Sequence, residues 1–232
     1  MSNRFIMQNR LMVALDLENK SQALKMRDQL MGHVGWLKVG LRLFVAEGPD
    51  LIQTLTKKHH VFLDLKFHDI PNTVAQAIES AGNLGVQMVN VHAAGGYDML
   101  QKAAQAAKHF PDMKLIAVTV LTSDGSMSAE QAQAVAVERA KLACDAGLSG
   151  VVCSAHEVAA IKNACGDGFL TVTPGIRWGN QDLQDQKRVA DPAGAIQVGA
   201  DYLVVGRPII QASNPADAAD EAVSMMCDAQ YG

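Results

Sequence analysis

Short apolar runs recur along the chain, and a segment with helical periodicity follows each of them. The runs are rich in Val, Ile and Leu and only about five residues long, which is typical of strands buried on both faces of a parallel sheet. Together they predict eight strands, at residues 11–15, 36–39, 61–65, 86–91, 115–120, 150–153, 169–173 and 202–205. Strands that alternate with helices predict an α/β fold.

Ala-rich amphipathic stretches separate the predicted strands. The stretch 128–146 is one example, and it ends at Ala146-Gly147, just before the sixth strand. A helix that is closed by glycine and followed by a strand is the order found in repeated βα units. Eight such units predict a single (β/α)8 TIM barrel over residues 1–232. A doubly wound open sheet is the alternative fold, but the unbroken alternation of strands and helices favours the barrel.

The charge balance argues against several classes of partner. The 232 residues include 20 Lys and Arg against 24 Asp and Glu, a net charge of −4, so no global positive field attracts nucleic acid or an anionic membrane. No apolar run approaches the roughly 18 residues of a membrane span, and the N-terminus leads into no signal-peptide core. Four cysteines without CxxC spacing are typical of a reducing compartment. We expect a cytoplasmic protein with no nucleic-acid or membrane partner.

Charged residues mark the ends of the first three predicted strands. The first strand ends in Asp16, the second carries Lys38, and the third contains Asp64 and Lys66. Asp64 and Lys66 are two residues apart, so they point to the same face, and the residues that alternate with them point towards the helices. Charges at the end of a buried strand are costly unless they are paired. We expect an active-site cluster here, because barrel active sites form at the carboxyl ends of the strands; the alternative is an ion-pair network that only specifies the fold.

The segment after the third strand turns the chain into a helix. Pro71 fits the first turn of that helix. Asp69 and Thr73 therefore lie beyond the strand end, on the rim of the barrel. An alternative role for Asp69 is to cap the helix N-terminus, which aspartate often does.

A second group of residues indicates phosphate binding. The N–H groups of Gly206 and Arg207 precede a helix in the loop after the last strand, where barrels commonly bind phosphate. Arg207 adds a bidentate charge partner, and the loop after the seventh strand adds Arg177 and Gln186. Gln186 belongs to a polar stretch, residues 179–188, which we interpret as a functional loop. Two arginines and an amide that converge there predict a phosphorylated substrate.

The sequence carries no signature of a resident cofactor. The seven histidines are dispersed, with no HxH or HExxH spacing, although carboxylates could still bind Mg²⁺. Neither GxGxxG nor GxxxxGK[ST] occurs, so no dinucleotide or P-loop nucleotide site is indicated. We therefore expect neither a metal nor an organic cofactor.

Residues 64–73, DLKFHDIPNT, resemble the DxKxxD-I-P-x-T signature of the orotidine 5′-phosphate decarboxylase family. DxKxxD alone is shared with related sugar-phosphate enzymes, whereas the Ile-Pro-Asn-Thr extension is narrower. Thr-Pro-Gly-Ile-Arg at residues 173–177 and Gly-Arg-Pro at residues 206–208 also match, and the resemblance covers nearly the whole chain. It implies a homodimeric barrel that converts orotidine 5′-phosphate to UMP and CO₂, the last step of de novo pyrimidine synthesis, without metal or organic cofactor.

The resemblance also implies roles for individual residues. The charged array that it implies consists of Lys38, Asp64, Lys66 and, from the partner subunit, Asp69, with Ile70 and Thr73 reaching across beside it. The substrate contacts that it implies are Asp16 and Lys38 for the ribose hydroxyls, Thr122 with Ser123 beside it for the pyrimidine, and Arg177, Gln186, Gly206 and Arg207 for the phosphate.

The chemistry of this decarboxylation fits these residue types. Loss of CO₂ from C6 leaves an electron pair in the ring plane, where the π system cannot delocalise it, so the site must stabilise a localised carbanion and then protonate it. Lys66 as an ammonium can do both, and Asp64 keeps it charged and aimed. We expect phosphate binding to close residues 179–188 over the site and to expel water.

Two other functions are open at this point. A Mg²⁺-dependent sugar-phosphate decarboxylase or aldolase-type synthase on the same barrel would use DxKxxD to hold metal and an enediolate. The extended signature argues against it. A catalytically silent binder of phosphorylated metabolites would bind nucleotide without turnover, and the complete set of Asp64, Lys66 and Asp69 argues against that function.

Overall fold

Eight parallel strands form a closed barrel in the computed structural model, which describes residues 2–121, 127–179 and 190–231. The strands are β1 (Leu11–Ala14), β2 (Trp36–Gly40), β3 (His60–Phe67), β4 (Met88–His92), β5 (Lys114–Val118), β6 (Gly150–Val152), β7 (Leu170–Thr173) and β8 (Tyr202–Val205). All eight predicted strands are present, and their bounds differ from the prediction by at most two residues.

The barrel closes because the first strand pairs with the last. Each strand pairs in parallel with the next one along the chain, and β1 pairs with β8 through Leu11 and Leu203. This confirms the (β/α)8 barrel, and the open sheet is wrong. Closure has a physical advantage here, since an open sheet would leave two edge strands with unpaired backbone groups.

Helices follow the strands and surround the barrel. They are α1 (Asn3–Gln8), α2 (Lys20–Gln29), α3 (Leu41–Leu55), α4 (Pro71–Asn83), α5 (Tyr97–Ala107), α6 (Ala129–Asp145), α7 (Ala155–Cys165), α8 (Pro192–Gln197), α9 (Arg207–Ile210) and α10 (Pro215–Tyr231), with a 3₁₀ turn at Ala93–Gly95. None of the helices in the described parts of the chain has the length and apolar composition needed to cross a membrane.

Local sequence accounts for the limits of α6, the helix predicted at residues 128–146. Ser128 caps it in a reciprocal pair with Gln131: the Gln131 N–H donates to Ser128 Oγ at 3.2 Å, and the Ser128 N–H donates to Gln131 Oε1 at 2.9 Å. Ala146 closes the helix, and Gly147 then takes a φ of 87°, which glycine adopts without steric cost.

The strands separate two apolar cores. The core inside the barrel consists of Met12, Ala14, Trp36, Phe62, Met88, Ile116, Val172 and Val204. The outer core lies between strands and helices and includes Leu63 and Leu65, as the alternation along β3 predicts. Phe62 points inward, so the next inward position along β3 is Asp64. The inner face of the barrel therefore changes from apolar to charged towards the carboxyl ends of the strands.

The turn after β3 begins as predicted but uses Asp69 differently. Pro71 is the first residue of α4, and the N-cap residue is Ile70. Asp69 lies one residue earlier, and its Oδ1 accepts a hydrogen bond from the Ile70 N–H at 2.7 Å. The alternative role of Asp69 as the N-cap is therefore wrong.

Candidate active site

A cavity of about 260 Å³ opens at the carboxyl ends of the strands. Its apolar floor includes Phe62, Val118, Val152 and Val204. Its polar lining includes Asp16, Lys38, Asp64, Lys66, Arg177, Gly206 and Arg207. The structure thus brings Lys38, Asp64 and Lys66 of the predicted charged cluster into one cavity with the predicted phosphate-binding residues that it describes. Parallel strands place all their carboxyl ends at the same end of the barrel.

Asp64 lies between two ammonium groups. Lys66 Nζ donates to Asp64 Oδ1 at 2.6 Å, and Lys38 Nζ lies 3.4 Å from Asp64 Oδ2. Lys38 in turn reaches Asp16 Oδ1 at 3.2 Å. The side chains of Lys38 and Asp64 are each 12% exposed, against 34% for Lys66. Lys66 therefore has the ammonium group with the greater access to the cavity.

The pairing keeps these buried groups charged. Burial opposes ionisation of Asp64, but Lys38 and Lys66 outweigh it and lower the pKa of that carboxyl below its usual 3.8. Burial also opposes the charge on Lys38, but Asp64 and Asp16 together raise its pKa above the usual 10.5. Both groups are therefore ionised at neutral pH, and the charges of the cluster are in place before a substrate arrives.

Lys66 has an unusual backbone. Its φ is 53°, the only positive φ of a non-glycine residue in the described parts of the chain. The pairing of β3 with β4 shifts register at this point: Leu63 pairs with Val89, but Phe67 pairs with Val91. A left-handed lysine costs about 1–3 kcal/mol, and such strain concentrates at functional sites.

Asn90, which the sequence analysis did not select, holds this irregular stretch. Its Oδ1 accepts from the Lys66 N–H at 2.8 Å, and its Nδ2 donates to Asp64 Oδ1 at 2.7 Å. Asn90 is fully buried. The signal in the sequence is an amide between Val89 and Val91, in the middle of a buried strand.

The predicted rim residues do not line the main cavity. Asp69, Ile70 and Thr73 are exposed, and Ile70 is 67% exposed despite its large apolar side chain. Asp69 and Ile70 border a separate, shallow depression with His68 and Pro71. The structure of one chain therefore brings together Lys38, Asp64 and Lys66 but leaves Asp69 apart from them.

Two histidines stack beside this depression. The rings of His68 and His92 lie 5.4 Å apart between centroids, at an interplanar angle of 20°. Burial, reinforced by the nearby His68, Arg139 and Lys66, lowers the pKa of His92. A neutral His92 also fits its contact, since Nδ1 accepts a hydrogen bond from the Ala94 N–H at 3.2 Å.

The predicted phosphate-binding residues that the structure describes lie in the loops after β7 and β8. Gly206 is the N-cap residue of α9, and Arg207 is the first residue of that helix. The backbone of Arg177 pairs with Ala190, whose carbonyl accepts from the Arg177 N–H at 2.9 Å. Arg177 and Ala190 therefore hold together the two described stretches of the chain on either side of residues 180–189.

Several predicted residues lie outside the described part of the structure. They are Thr122, Ser123 and Gln186, together with most of the loop at residues 179–188. Leu121, which directly precedes Thr122, does line the cavity. In the ranges that the structure describes, no group of three or more His, Cys, Asp or Glu side chains is arranged to hold a metal ion.

Comparison with known proteins gives a consistent result. Residues 9–222 match the model of a family described as orotidine 5′-phosphate decarboxylase / HUMPS family. The orotidine 5′-phosphate decarboxylase of Legionella pneumophila (strain Paris) is 51% identical over 219 residues, which cover 89% of this chain and 94% of that protein. The decarboxylase of the same description from Pseudoalteromonas atlantica is 47% identical and covers 91% of this chain and 95% of its own.

Solved structures agree with these sequence matches. The crystal structure of orotidine 5′-phosphate decarboxylase from Lactobacillus acidophilus superposes with a TM-score of 0.82 at 36% identity, over 94% of this chain and 99% of that one. A protein from Geobacillus kaustophilus that is described as uncharacterized superposes with a TM-score of 0.80 at 35% identity, over 93% of this chain and 99% of its own.

Proposed function

Because the chain belongs to the orotidine 5′-phosphate decarboxylase / HUMPS family, its activity is the decarboxylation of orotidine 5′-phosphate to UMP in pyrimidine biosynthesis, and we propose that Lys66 is the proton donor. One observation carries this proposal. Lys66 Nζ lies in the cavity at the carboxyl ends of the strands, 2.6 Å from the buried carboxylate of Asp64. That carboxylate holds the ammonium in position through a charge-assisted hydrogen bond.

The proposed reaction begins with cleavage of the bond between C6 and the carboxylate. The electron pair of that bond stays on C6 in the ring plane, and CO₂ leaves. The positive charge of Lys66 stabilises this localised carbanion as it forms, which is where preorganised charge has its largest effect. An N–H of Lys66 then gives its proton to C6, and the neutral amine regains a proton from solvent.

Asp64 and Lys38 support Lys66 rather than react. Asp64 accepts from Lys66 and faces Lys38 on its other oxygen, so the three side chains hold one another in a fixed order of charges. This arrangement costs no reorganisation during the reaction. We assign neither a metal nor an organic cofactor to this step, because the ammonium group supplies both the charge and the proton that the carbanion needs.

Other predicted site residues are proposed to bind the rest of the nucleotide. Asp16 and Lys38, which contact each other at 3.2 Å, bind the ribose hydroxyls. Thr122 and Ser123, which follow β5 in the sequence, are proposed to contact the pyrimidine. The residues proposed to bind the phosphate are Arg177, Gln186, Gly206 and Arg207. Binding energy from the phosphate then serves to close residues 179–188 and to exclude water from C6.

We propose that the protein acts as a homodimer in which Asp69, Ile70 and Thr73 reach the partner subunit's cavity. Large exposed apolar side chains support a partner at this end of the barrel: Leu41 and Ile70 each follow the carboxyl end of a strand and are 55% and 67% exposed. Asp69 adds a carboxylate that its own subunit leaves away from Lys66.

The substrate and product are orotidine 5′-phosphate and UMP, and we place the enzyme in the cytoplasm, with no nucleic-acid or membrane partner.

The test follows the ultraviolet absorbance of orotidine 5′-phosphate with purified protein and excess EDTA. We expect the wild type to remove the orotate band and Lys66→Ala to leave it unchanged over the same time. Lys25→Ala, which removes an exposed lysine from α2, is the matched control and retains wild-type activity. Run in D₂O, the wild type yields UMP with deuterium at C6, as transfer from an exchangeable ammonium requires.

Each contrary outcome has a definite meaning. Activity that disappears in EDTA and returns with Mg²⁺ would point to the metal-dependent sugar-phosphate chemistry of related barrels. Tight UMP binding without turnover would indicate a silent binder. Full activity of Lys66→Ala would remove Lys66 from its role while leaving the decarboxylation itself intact.

A further inference from the structure

We propose that Asn90 is a positioning residue for the Asp64–Lys66 pair, an inference that rests on the proposed role of Lys66. Asn90 lies on β4, fully buried, with its side chain on the inner face of the barrel above Met88. It does not line the cavity. Any effect that it has on the reaction must therefore pass through the residues that it touches.

One side-chain amide contacts both members of the pair. Asn90 Oδ1 accepts from the backbone N–H of Lys66 at 2.8 Å, and Asn90 Nδ2 donates to Asp64 Oδ1 at 2.7 Å. The same Asp64 oxygen accepts from Lys66 Nζ at 2.6 Å. The three groups thus close a ring of hydrogen bonds that fixes the Lys66 backbone, the Asp64 carboxylate and the ammonium relative to one another.

The irregular pairing of β3 explains why an amide is needed. Between Leu63 and Phe67 the register shifts against β4, and Lys66 takes a φ of 53°, so its N–H is directed to a side chain of β4. That N–H is partly buried and needs an acceptor, whereas the neighbouring carboxylate needs a donor. The primary amide of Asn90 offers both from one side chain, whereas an ionised carboxylate offers acceptors alone and leucine offers neither.

Asn90→Leu and the matched control Thr171→Val test this role. Asn90→Leu keeps an inward side chain of similar size but removes both hydrogen bonds. We expect kcat to fall about 10- to 100-fold, the cost of losing a buried hydrogen bond to a charged group. KM and the affinity for UMP change less than about threefold, because the contacts to phosphate and ribose remain.

Thr171→Val separates this effect from a loss of stability. Thr171 is also fully buried, and its Oγ1 bonds the carboxylate of Asp201 at 3.0 Å, outside the residues that line the cavity. We expect this variant to lose stability but to retain wild-type kcat. An equal loss of kcat in both variants would overturn the positioning role, as would wild-type kcat in Asn90→Leu.

Asn90→Asp tests the role through the pH dependence of kcat, which a merely structural role of Asn90 would leave unchanged. The new carboxylate keeps the acceptor for the Lys66 N–H but faces Asp64 Oδ1 without a hydrogen to donate. Lys38 lies beyond Asp64, and His92 follows two residues along β4. Two carboxylates at this distance share a proton as the pH falls, and that proton restores a donor to Asp64.

The ratio of kcat in Asn90→Asp to kcat in the wild type is therefore expected to rise as the pH is lowered from 8 to 5.5. Wild-type kcat in Asn90→Asp throughout this range overturns the inference. The outcomes are distinct from those that test the proposed function: an inactive wild type contradicts the proposed function, whereas an active wild type with unaffected Asn90 variants contradicts only the role of Asn90.

Discussion

Lys66 holds its ammonium group beside Asp64 through an unfavourable backbone conformation. Strain of about 1–3 kcal/mol at this residue persists only where its surroundings hold it. Here they consist of the Asp64 carboxylate and the Asn90 amide, both largely buried. The strain at Lys66 therefore lowers the stability of the fold in return for a fixed side-chain geometry.

Arg207 offers a test of how remote binding energy is used. We expect Arg207→Ala to lower kcat/KM for orotidine 5′-phosphate about 100-fold, because it removes the charge-assisted contact that we propose for the phosphate. Activity on orotidine, which lacks the phosphate, stays within about twofold of the wild type.

Steady-state kinetics on both substrates check this expectation. Arg4→Ala removes an exposed arginine from α1, which precedes β1 and so lies at the other end of the barrel. This control retains wild-type activity on both substrates. Equal losses of Arg207→Ala on the two substrates would show that the phosphate contact does not promote the chemical step.

His59 links stability to pH. Burial, with the nearby Arg27, lowers the pKa of His59 below its usual 6.5. His59 therefore binds a proton more readily in the unfolded chain than in the folded one. Its contribution to the free energy of unfolding is complete above pH 6.5, and it is lost as the pH falls from 6.5 towards the lower pKa of the folded state. Burial lowers the pKa of His60 and His92 in the same direction.

Urea unfolding at pH 8 and pH 5.5 measures this linkage. The wild type is expected to lose free energy of unfolding on acidification, and His59→Gln to lose less. His109→Gln, at an exposed position, serves as the control and follows the wild type. A loss in His59→Gln as large as that of the wild type would assign the pH dependence to other groups.

At the level of elements, β6 and β7 pack too closely for any side chain at Gly150. A Cβ built there would overlap the carbonyl oxygen of Leu170, on the neighbouring strand. Backbone on both sides leaves little room to relax. Gly150→Ala is therefore expected to lower the free energy of unfolding by about 1–3 kcal/mol, the usual cost of overpacking a core.

Thermal or urea unfolding tests the prediction for β6. A Cβ at Gly168 meets no atom within 4 Å, so Gly168→Ala is the matched control. It changes stability by less than about 0.5 kcal/mol, as is usual for surface substitutions. Equal stability of the two variants would mean that the β6–β7 pairing adjusts to the extra methyl group.

At the level of the whole molecule, the question is whether one chain makes a complete site. If Asp69 acts in the partner subunit's cavity, Asp69→Ala and Lys66→Ala are each inactive, but a mixed dimer has one site with both residues intact. Random mixing after joint refolding is expected to restore about a quarter of wild-type activity, since half of the dimers are mixed and each has one competent site.

The refolded mixture is compared with each variant refolded alone. A mixture of Lys66→Ala with Asp64→Asn is the control, because both changes lie in the cavity of one chain. In that mixture every site lacks one residue or the other, so activity does not return. Failure of the Asp69→Ala and Lys66→Ala mixture to regain activity would overturn the proposal that Asp69 completes the partner subunit's site.

Much of this architecture could be predicted from local sequence. The eight strands follow from apolar runs, and the limits of α6 follow from Ser128 and Gly147, because burial patterns and caps depend on residues close along the chain. The motif at residues 64–73 also indicated the family, which the family match over residues 9–222 confirms. The parallel barrel in turn implies that the carboxyl ends of all the strands meet at one end of the molecule.

Only the tertiary structure decided how the charged residues are held. The two hydrogen bonds of Asn90 join it to residues 24 and 26 positions away along the chain. They occur where the pairing of β3 with β4 shifts register and Lys66 takes a left-handed backbone. No local sequence pattern encodes such a pairing. The structure also decided against the alternative role of Asp69 as a helix cap, because Ile70 takes the N-cap position. Sequence determined which groups meet at the barrel mouth, while packing between strands determined their geometry, because hydrogen bonds across a sheet depend on register and register is set by the whole barrel.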